Sequence, residues 1–226
     1  MRAADTPQAT SAARGQLFVI AAPSGAGKTS LVKALVAQWD LMRREDPAHR
    51  PQLHVSVSYT TRGRRTTEEA GKDYCFVSLE EFRELIARNA LLEHARVFDN
   101  YYGTARAPVE EQLVRGQHVI LEIDWQGAQQ VRRSLPGCCT IFILPPSKSA
   151  LEKRLRRRAT DSDEVIARRL MDAVSDMSHY REFDYVLVND TFDHAVDDLV
   201  RIIDGKAADL AASRPALQPL LTELTG

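Results

Sequence analysis

Four short, mostly apolar runs punctuate the chain: Leu17-Phe18-Val19-Ile20-Ala21, Val119-Ile120-Leu121-Glu122-Ile123, Thr140-Ile141-Phe142-Ile143-Leu144 and Tyr185-Val186-Leu187-Val188. A run without polar alternation predicts a strand covered on both faces. Pro145-Pro146 stops the third. Around these runs, helical spacing is predicted over residues 29–38, 109–115, 125–133, 148–158, 165–180 and 194–212. Strands alternating with helices imply an α/β fold, a parallel sheet with helices on both faces. Residues 58–104 break the alternation: a basic, turn-prone stretch Arg62-Gly63-Arg64-Arg65 precedes Tyr74-Cys75-Phe76-Val77 and a helix expected over 79–88. This region reads as an insertion with its own small mixed sheet. Residues 39–51 are polar and end in proline, as a loop or helix extension would. The expected organisation is a disordered leader over 1–15, one domain over 16–210 (core 16–57 and 105–210, insertion 58–104) and a loosely ordered tail over 211–226, where Pro215 and Pro219 fall.

The chain has 226 residues, 44% of them hydrophobic, enough for one substantial core. A formal net charge of −1 gives no bulk basic surface for nucleic acid, and no apolar run is long enough to span a bilayer. The first 15 residues lack the apolar segment of a secretory signal. Cys75, Cys138 and Cys139 form no zinc spacing; the last two, adjacent on an expected strand, point to opposite faces and suit reduced thiols in the cytoplasm.

The first strand runs directly into Ala22-Pro23-Ser24-Gly25-Ala26-Gly27-Lys28-Thr29-Ser30 and then a helix. A polyphosphate needs consecutive backbone N–H groups turned inward, and glycines allow the required backbone. Lys28 supplies a cation for the outer phosphates, Thr29 a hydroxyl for Mg²⁺, and the following helix its positive dipole end. ATP with Mg²⁺ is the expected co-substrate. The general phosphate-loop pattern begins with glycine, whereas this chain has Ala22.

Ala-Pro-Ser-Gly-Ala-Gly-Lys-Thr resembles the form this loop takes in bacterial guanylate kinases, including its first alanine. Further segments resemble the same family in the same order: Val55-Ser56-Val57-Ser58-Tyr59-Thr60-Thr61-Arg62, Asn100-Tyr101-Tyr102-Gly103-Thr104, Ile123-Asp124-Trp125-Gln126-Gly127-Ala128 and Val188-Asn189-Asp190. The resemblance spans about residues 16 to 205. It departs where the family reads Thr-Thr-Arg-x-Pro-Arg-x-Gly-Glu and this chain reads Thr60-Thr61-Arg62-Gly63-Arg64-Arg65-Thr66-Thr67-Glu68, and where the family's central-strand aspartate is Glu122.

The resemblance implies a P-loop kinase that transfers the γ-phosphoryl of ATP to GMP, and to dGMP, as an essential step of GMP recycling and GTP supply. It implies that Arg62, Arg65, Tyr74 and Tyr102 hold the GMP phosphate, that Glu93, Ser58, Thr104 and Asp124 read guanine, and that Arg158 and Arg169 reach the transferring group from a lid over about 157–168. Lys28 and Thr29 belong to the ATP side, with Glu122 near the metal through water. The monophosphate nucleophile is already anionic near neutral pH, since its second pKa is about 6. Positioning and positive charge are therefore what the reaction demands. Guanine's adjacent N–H donors suit a carboxylate, against which adenine would set a lone pair. Arg154, Arg156 and Arg157 read mostly as solvated charges of a helix face, and His94 and His179 as structural. A kinase for another monophosphate (dTMP, UMP or AMP) and a non-enzymatic peptide-binding relative are the alternatives; the guanine-reading set opposes the first, the intact Gly27-Lys28-Thr29 the second. Oligomeric state stays open, a homo-oligomer among the possibilities.

Overall fold

The computed structural model describes residues 14–97, 99–157 and 163–226. In chain order the elements are β1 (Leu17–Ala21), α1 (Lys28–Glu45), β2 (Leu53–Val55), β3 (Tyr59–Thr60), β4 (Cys75–Phe76), α2 (Leu79–Ala87), β5 (Leu91–Val97), β6 (Asn100–Ala105), α3 (Arg106–Val114), β7 (His118–Glu122), α4 (Trp125–Ser134), β8 (Cys139–Leu144), α5 (Lys148–Arg156), α6 (Asp163–Ser178), β9 (Tyr185–Val188), α7 (Phe192–Ile203) and α8 (Gln218–Thr225).

Five strands form one sheet in the order β2-β7-β1-β8-β9, every neighbouring pair parallel. Its two faces divide the core by residue parity. Leu17, Val19 and Ala21 of β1 turn toward α3, α4, α5, α6 and α8, through Val109, Val131, Leu151, Ala173 and Leu221 among others. Phe18 and Ile20 turn the other way, onto Leu31, Leu35 and Trp39 of α1 and Val196, Leu199 and Ile203 of α7. This two-sided cover explains why the strand sequences are unbroken apolar runs. Cys138 joins the first cluster and Cys139 packs against the second, and all three cysteines are free. Among the described residues no helix is long and apolar enough to cross a membrane.

A second sheet of order β4-β3-β6-β5 is built within the atypical stretch. The long antiparallel pair β5–β6 runs from Val97 opposite Asn100 back to Leu91 opposite Ala105, with an irregularity between Leu91 and Glu93. Phe82 of α2 is fully buried and sits against the ring of Tyr101 at 5.6 Å. Ser78 starts α2 with a reciprocal capping box to Glu81.

Two expectations need correction, and of the two readings of residues 39–51 the helix extension holds. The tail is not loose: Pro215–Leu217 forms a short 3₁₀ turn and Gln218–Thr225 a helix, with Leu217, Leu221 and Leu224 buried in the core on the α6 side. Its prolines stand in the first turns of these elements, where a missing N–H costs nothing, rather than acting as breakers. The helix expected over 194–212 ends at Ile203, because Gly205 follows with a φ of 70° and reverses the chain. Residues 39–45 continue α1, whose last turn carries Arg43 and Arg44 against the carbonyl end of its dipole.

Candidate active site

The loop after β1 shows the backbone that its glycines imply. Gly25 has φ 89° and Gly27 φ 96°, both in the region that favours glycine. Gly27 also precedes α1 as its N-cap without a side-chain cap, so the first amides of the helix are left for a ligand. From behind, the loop is held by its Ala26 carbonyl, which accepts from Asn189 Nδ2 at 2.7 Å and from Arg154 at 3.2 Å. The other terminal nitrogen of Arg154 donates to the Asn189 carbonyl at 2.9 Å. Arg154 is thus a buttress of the loop, correcting its reading as a solvated charge. The neighbouring Arg156 does conform, being exposed and paired with Glu152 and Asp163, and Arg157 is exposed.

Lys28 donates to the Ile123 carbonyl at 2.7 Å. Burial lowers its pKa, while the carboxylates of Glu122, Asp124, Glu93 and Asp176 pull it back up. One cation therefore sits among four acidic groups drawn from β5, β7, α6 and the turn that opens α4.

A cleft of about 590 Å³ runs from the loop to the second sheet. It is lined on one side by Ala22, Pro23, Ser24, Gly25, Gly27, Lys28, Thr29 and Ser30, and on the other by Ser58, Tyr74, Glu93 and Tyr102. Glu122, Asp124, Trp125, Arg168 and Asp176 are among the other residues that line it. Ala26 is buried beneath the loop.

Glu93 is only 3% exposed. Its Oε1 accepts from the Thr104 hydroxyl at 2.6 Å, and burial pushes its pKa up to about 7 against that bond and Lys28. Thr104 is wholly buried and fixes one carboxyl oxygen, leaving the other to the cleft. Asp124 caps α4 by accepting from the Gly127 amide at 2.8 Å, while its Oδ2 is buried with no hydrogen-bond partner among the described residues. Burial raises its pKa as well. A buried acceptor without a protein donor is left for water or for a ligand's N–H. Gly127, whose role the sequence did not disclose, makes this arrangement possible: a Cβ there would stand 2.6 Å from Glu93 Oε2.

On the second sheet, Arg62 pairs with both oxygens of Glu68, at 3.1 and 2.7 Å, and lies over the rings of Tyr74 and Phe76 at 5.4 and 5.9 Å. Tyr74 and Tyr102 meet edge to face at 6.0 Å. Arg65 is exposed and lies outside the cleft lining, 4.0 Å from Glu68. Arg169 on α6 is likewise outside the lining, whereas the adjacent Arg168 contributes to it. Arg158 and much of the segment expected as a lid lie outside the described residues. His94 lies outside the cleft lining, and its backbone N–H and carbonyl both bond the Gln130 side chain. Among the described residues no three His, Cys, Asp or Glu side chains gather as a self-contained metal site. Thr29 and Glu122 nonetheless bring a hydroxyl and a carboxylate to the phosphate end of the cleft.

Comparison with known proteins agrees with this geometry. The family model for guanylate kinase matches residues 14–206. The guanylate kinase of Methylococcus capsulatus is 53% identical over 213 residues, covering 94% of this chain and 99% of that one. That of Escherichia coli (strain K12) is 49% identical over 212 residues, covering 94% and 98%. Among solved structures, the guanylate kinase of Anaplasma phagocytophilum superposes with a TM-score of 0.68 at 30% identity, covering 92% of this chain and 94% of that one. With a phosphate loop facing a pocket of buried carboxyls, and with relatives this close over nearly its whole length, the chain belongs to the guanylate kinase family.

Proposed function

We propose that this chain transfers the γ-phosphoryl group of ATP to GMP, giving ADP and GDP, and that it accepts dGMP as well. The observation that carries the reading is a pair of carboxyls, the buried Glu93 and Asp124 with its buried Oδ2, set across one cleft from the phosphate loop. Glu93, oriented by Thr104, accepts the two adjacent N–H groups of guanine, and the unpartnered Asp124 Oδ2 takes a further N–H. Ser58 lies beside them as a hydroxyl partner. An adenine ring would meet the same carboxylate with a lone pair and leave a buried charge unpaired, an energetic cost large enough to discriminate.

The GMP phosphate is held by Arg62 with Tyr74 and Tyr102, and by Arg65 once its loop turns inward. Glu68 already offers Arg62 two oxygens in the fork geometry a phosphate would use, so substrate binding exchanges one oxyanion for another. Lys28 and the loop amides neutralise the β- and γ-phosphates. The all-oxygen pair Thr29 and Glu122 fits Mg²⁺, which ordinarily takes one or two protein oxygens beside phosphates and water. Bound there with ATP, Mg²⁺ would withdraw charge from the phosphates. Arg158 and Arg169, on either side of the start of α6, stabilise the charge spread over the transferring group, and a lid over 157–168 excludes water that would compete with GMP. No general base is required.

The test is ADP release measured with ATP and each of GMP, dGMP, AMP, UMP and dTMP. Release dependent on GMP and dGMP is expected. Release independent of added GMP, or faster with another monophosphate, would overturn the assignment.

A further inference from the structure

On the guanine side of the cleft, one indole is held by both its edge and its face. Trp125 is the first residue of α4, next to Asp124, which caps that helix. Its Nε1–H donates to Asp176 Oδ1 of α6 at 3.1 Å. Its ring lies flat on the imidazole of His179, in the 3₁₀ turn that continues α6, with centroids 3.4 Å apart and planes 9° from parallel. His179 Nδ1 is hydrogen-bonded to Glu182 at 2.6 Å, and Glu182 accepts from Gln129 of α4. The contacts close a ring that leaves α4 at Trp125 and returns to it at Gln129.

The apolar packing of α4 and α6 against the sheet, through Ala128, Val131, Ala173 and Met177, tolerates small rotations. A hydrogen bond from an indole to a carboxylate is directional and does not. What it orients is specific: α6 turns Arg168, Asp172, Ser175 and Asp176 toward the cleft, a spacing that places them on one helix face. Asp176 is half-buried beside Asp124, and together burial and that neighbour push its pKa up to about 6, while the indole N–H opposes the rise. Without the indole its carboxyl would face another acidic group across the cleft.

We propose that Trp125 is a positioning residue for the monophosphate substrate, fixing the rotation of the arginine-bearing helix α6 against Asp124 at the start of α4 through Asp176 and His179. This rests on the phosphoryl-transfer reading above. Trp125 does not touch the reacting atoms; it sets the spacing between the group that meets guanine and the helix that faces the phosphates.

The experiment compares the wild type with Trp125→Phe, Asp176→Ala and the double variant in steady-state kinetics for each substrate. Each single variant is expected to raise KM for GMP about tenfold, the loss of one hydrogen bond to a charged group, with KM for ATP changed less than about twofold. The double variant is expected to be no worse than the more severe single one, because both remove the same bond. Should Trp125→Phe fail to fold, Asp176→Ala keeps the indole, removes its acceptor and carries the same comparison of the two KM values. In a Trp39→Phe chain, where Trp125 alone emits, GMP is expected to change the emission, and His179→Ala to raise it by removing the stacked imidazole. Equal rises of KM for both substrates, a double variant equal to the product of the singles, or emission indifferent to GMP would overturn the proposal while leaving the reaction intact. A wild type without GMP-dependent ADP release would instead overturn the functional reading and this proposal with it.

Discussion

The two walls of the cleft are made of different material. The wall at the phosphate loop is main chain: amides turned inward by Gly25 and Gly27 and braced from behind by Asn189 and Arg154. The opposite wall is side chain: Glu93 on Thr104, Asp124 on the Gly127 amide, and the rings of Tyr74 and Tyr102, with Arg62 behind them outside the lining. A backbone cradle recognises charge and shape common to every nucleoside triphosphate. A set of buried carboxyls distinguishes one base from another, because each is costly to leave unpaired. On this division, damage to the first wall lowers the rate for all acceptors, and damage to the second alters which acceptor is chosen.

The largest effect that tests the division is expected for Lys28→Met. Turnover should fall about 10³-fold, as for removal of a principal charge-stabilising donor, with the preference for GMP over AMP retained. A loss of that preference in single-turnover assays would break the comparison. Next comes Glu93→Gln, expected to reduce the GMP/AMP ratio of kcat/KM about 10²-fold while leaving KM for ATP nearly unchanged.

The same residue sharpens the comparison through pH. The pKa of Glu93 is raised from 4.5 to about 7, so between those values the folded chain keeps a proton that the unfolded chain releases. Ligand-free stability should therefore fall as pH rises through that window, and the slope of Tm against pH from 4.5 to 7 should be shallower in Glu93→Gln. Asp176, raised from 3.8 to about 6, adds a slope of the same sign that the variant keeps. GMP requires the carboxylate, so its affinity should rise toward pH 7. The substrate phosphate also ionises near 6 and contributes a part that Glu93→Gln retains.

A smaller effect is expected for Gly127→Ala. The added methyl would displace Glu93 Oε2 and raise KM for GMP roughly tenfold at unchanged KM for ATP, measurable by initial rates. The smallest is Arg156→Ala, whose exposed pairs with Glu152 and Asp163 predict an unchanged midpoint in denaturant titration.

What could be read in the sequence follows the same division. The central strands were legible because cover on both faces leaves unbroken apolar runs, and the loop because its chemistry lies in consecutive residues. The acidic and hydroxyl groups of the second wall were reached through resemblance, since a glutamate in Leu92-Glu93-His94 carries no local mark of being 3% exposed. Strand β5 escaped notice as a strand because both Leu91 and Leu92 are buried at its irregular start, spoiling the alternation. Arg154 was hidden in a run of arginines; only the tertiary fold brings it to a carbonyl at Ala26. Helix α8 was misjudged because proline signals a helix start as readily as a break.

The order of strands in the main sheet also bears on how the molecule assembles. β1, the strand that launches the phosphate loop, is flanked by β7 and β8, which lie about a hundred residues further along the chain. The β5–β6 pair, by contrast, joins residues close in the chain, beginning with Val97 opposite Asn100. Closing a long loop is entropically slower than zipping a local hairpin. In refolding, amide protection should accordingly appear in β5–β6 before β1: the strand that is first in the chain is among the last to be seated.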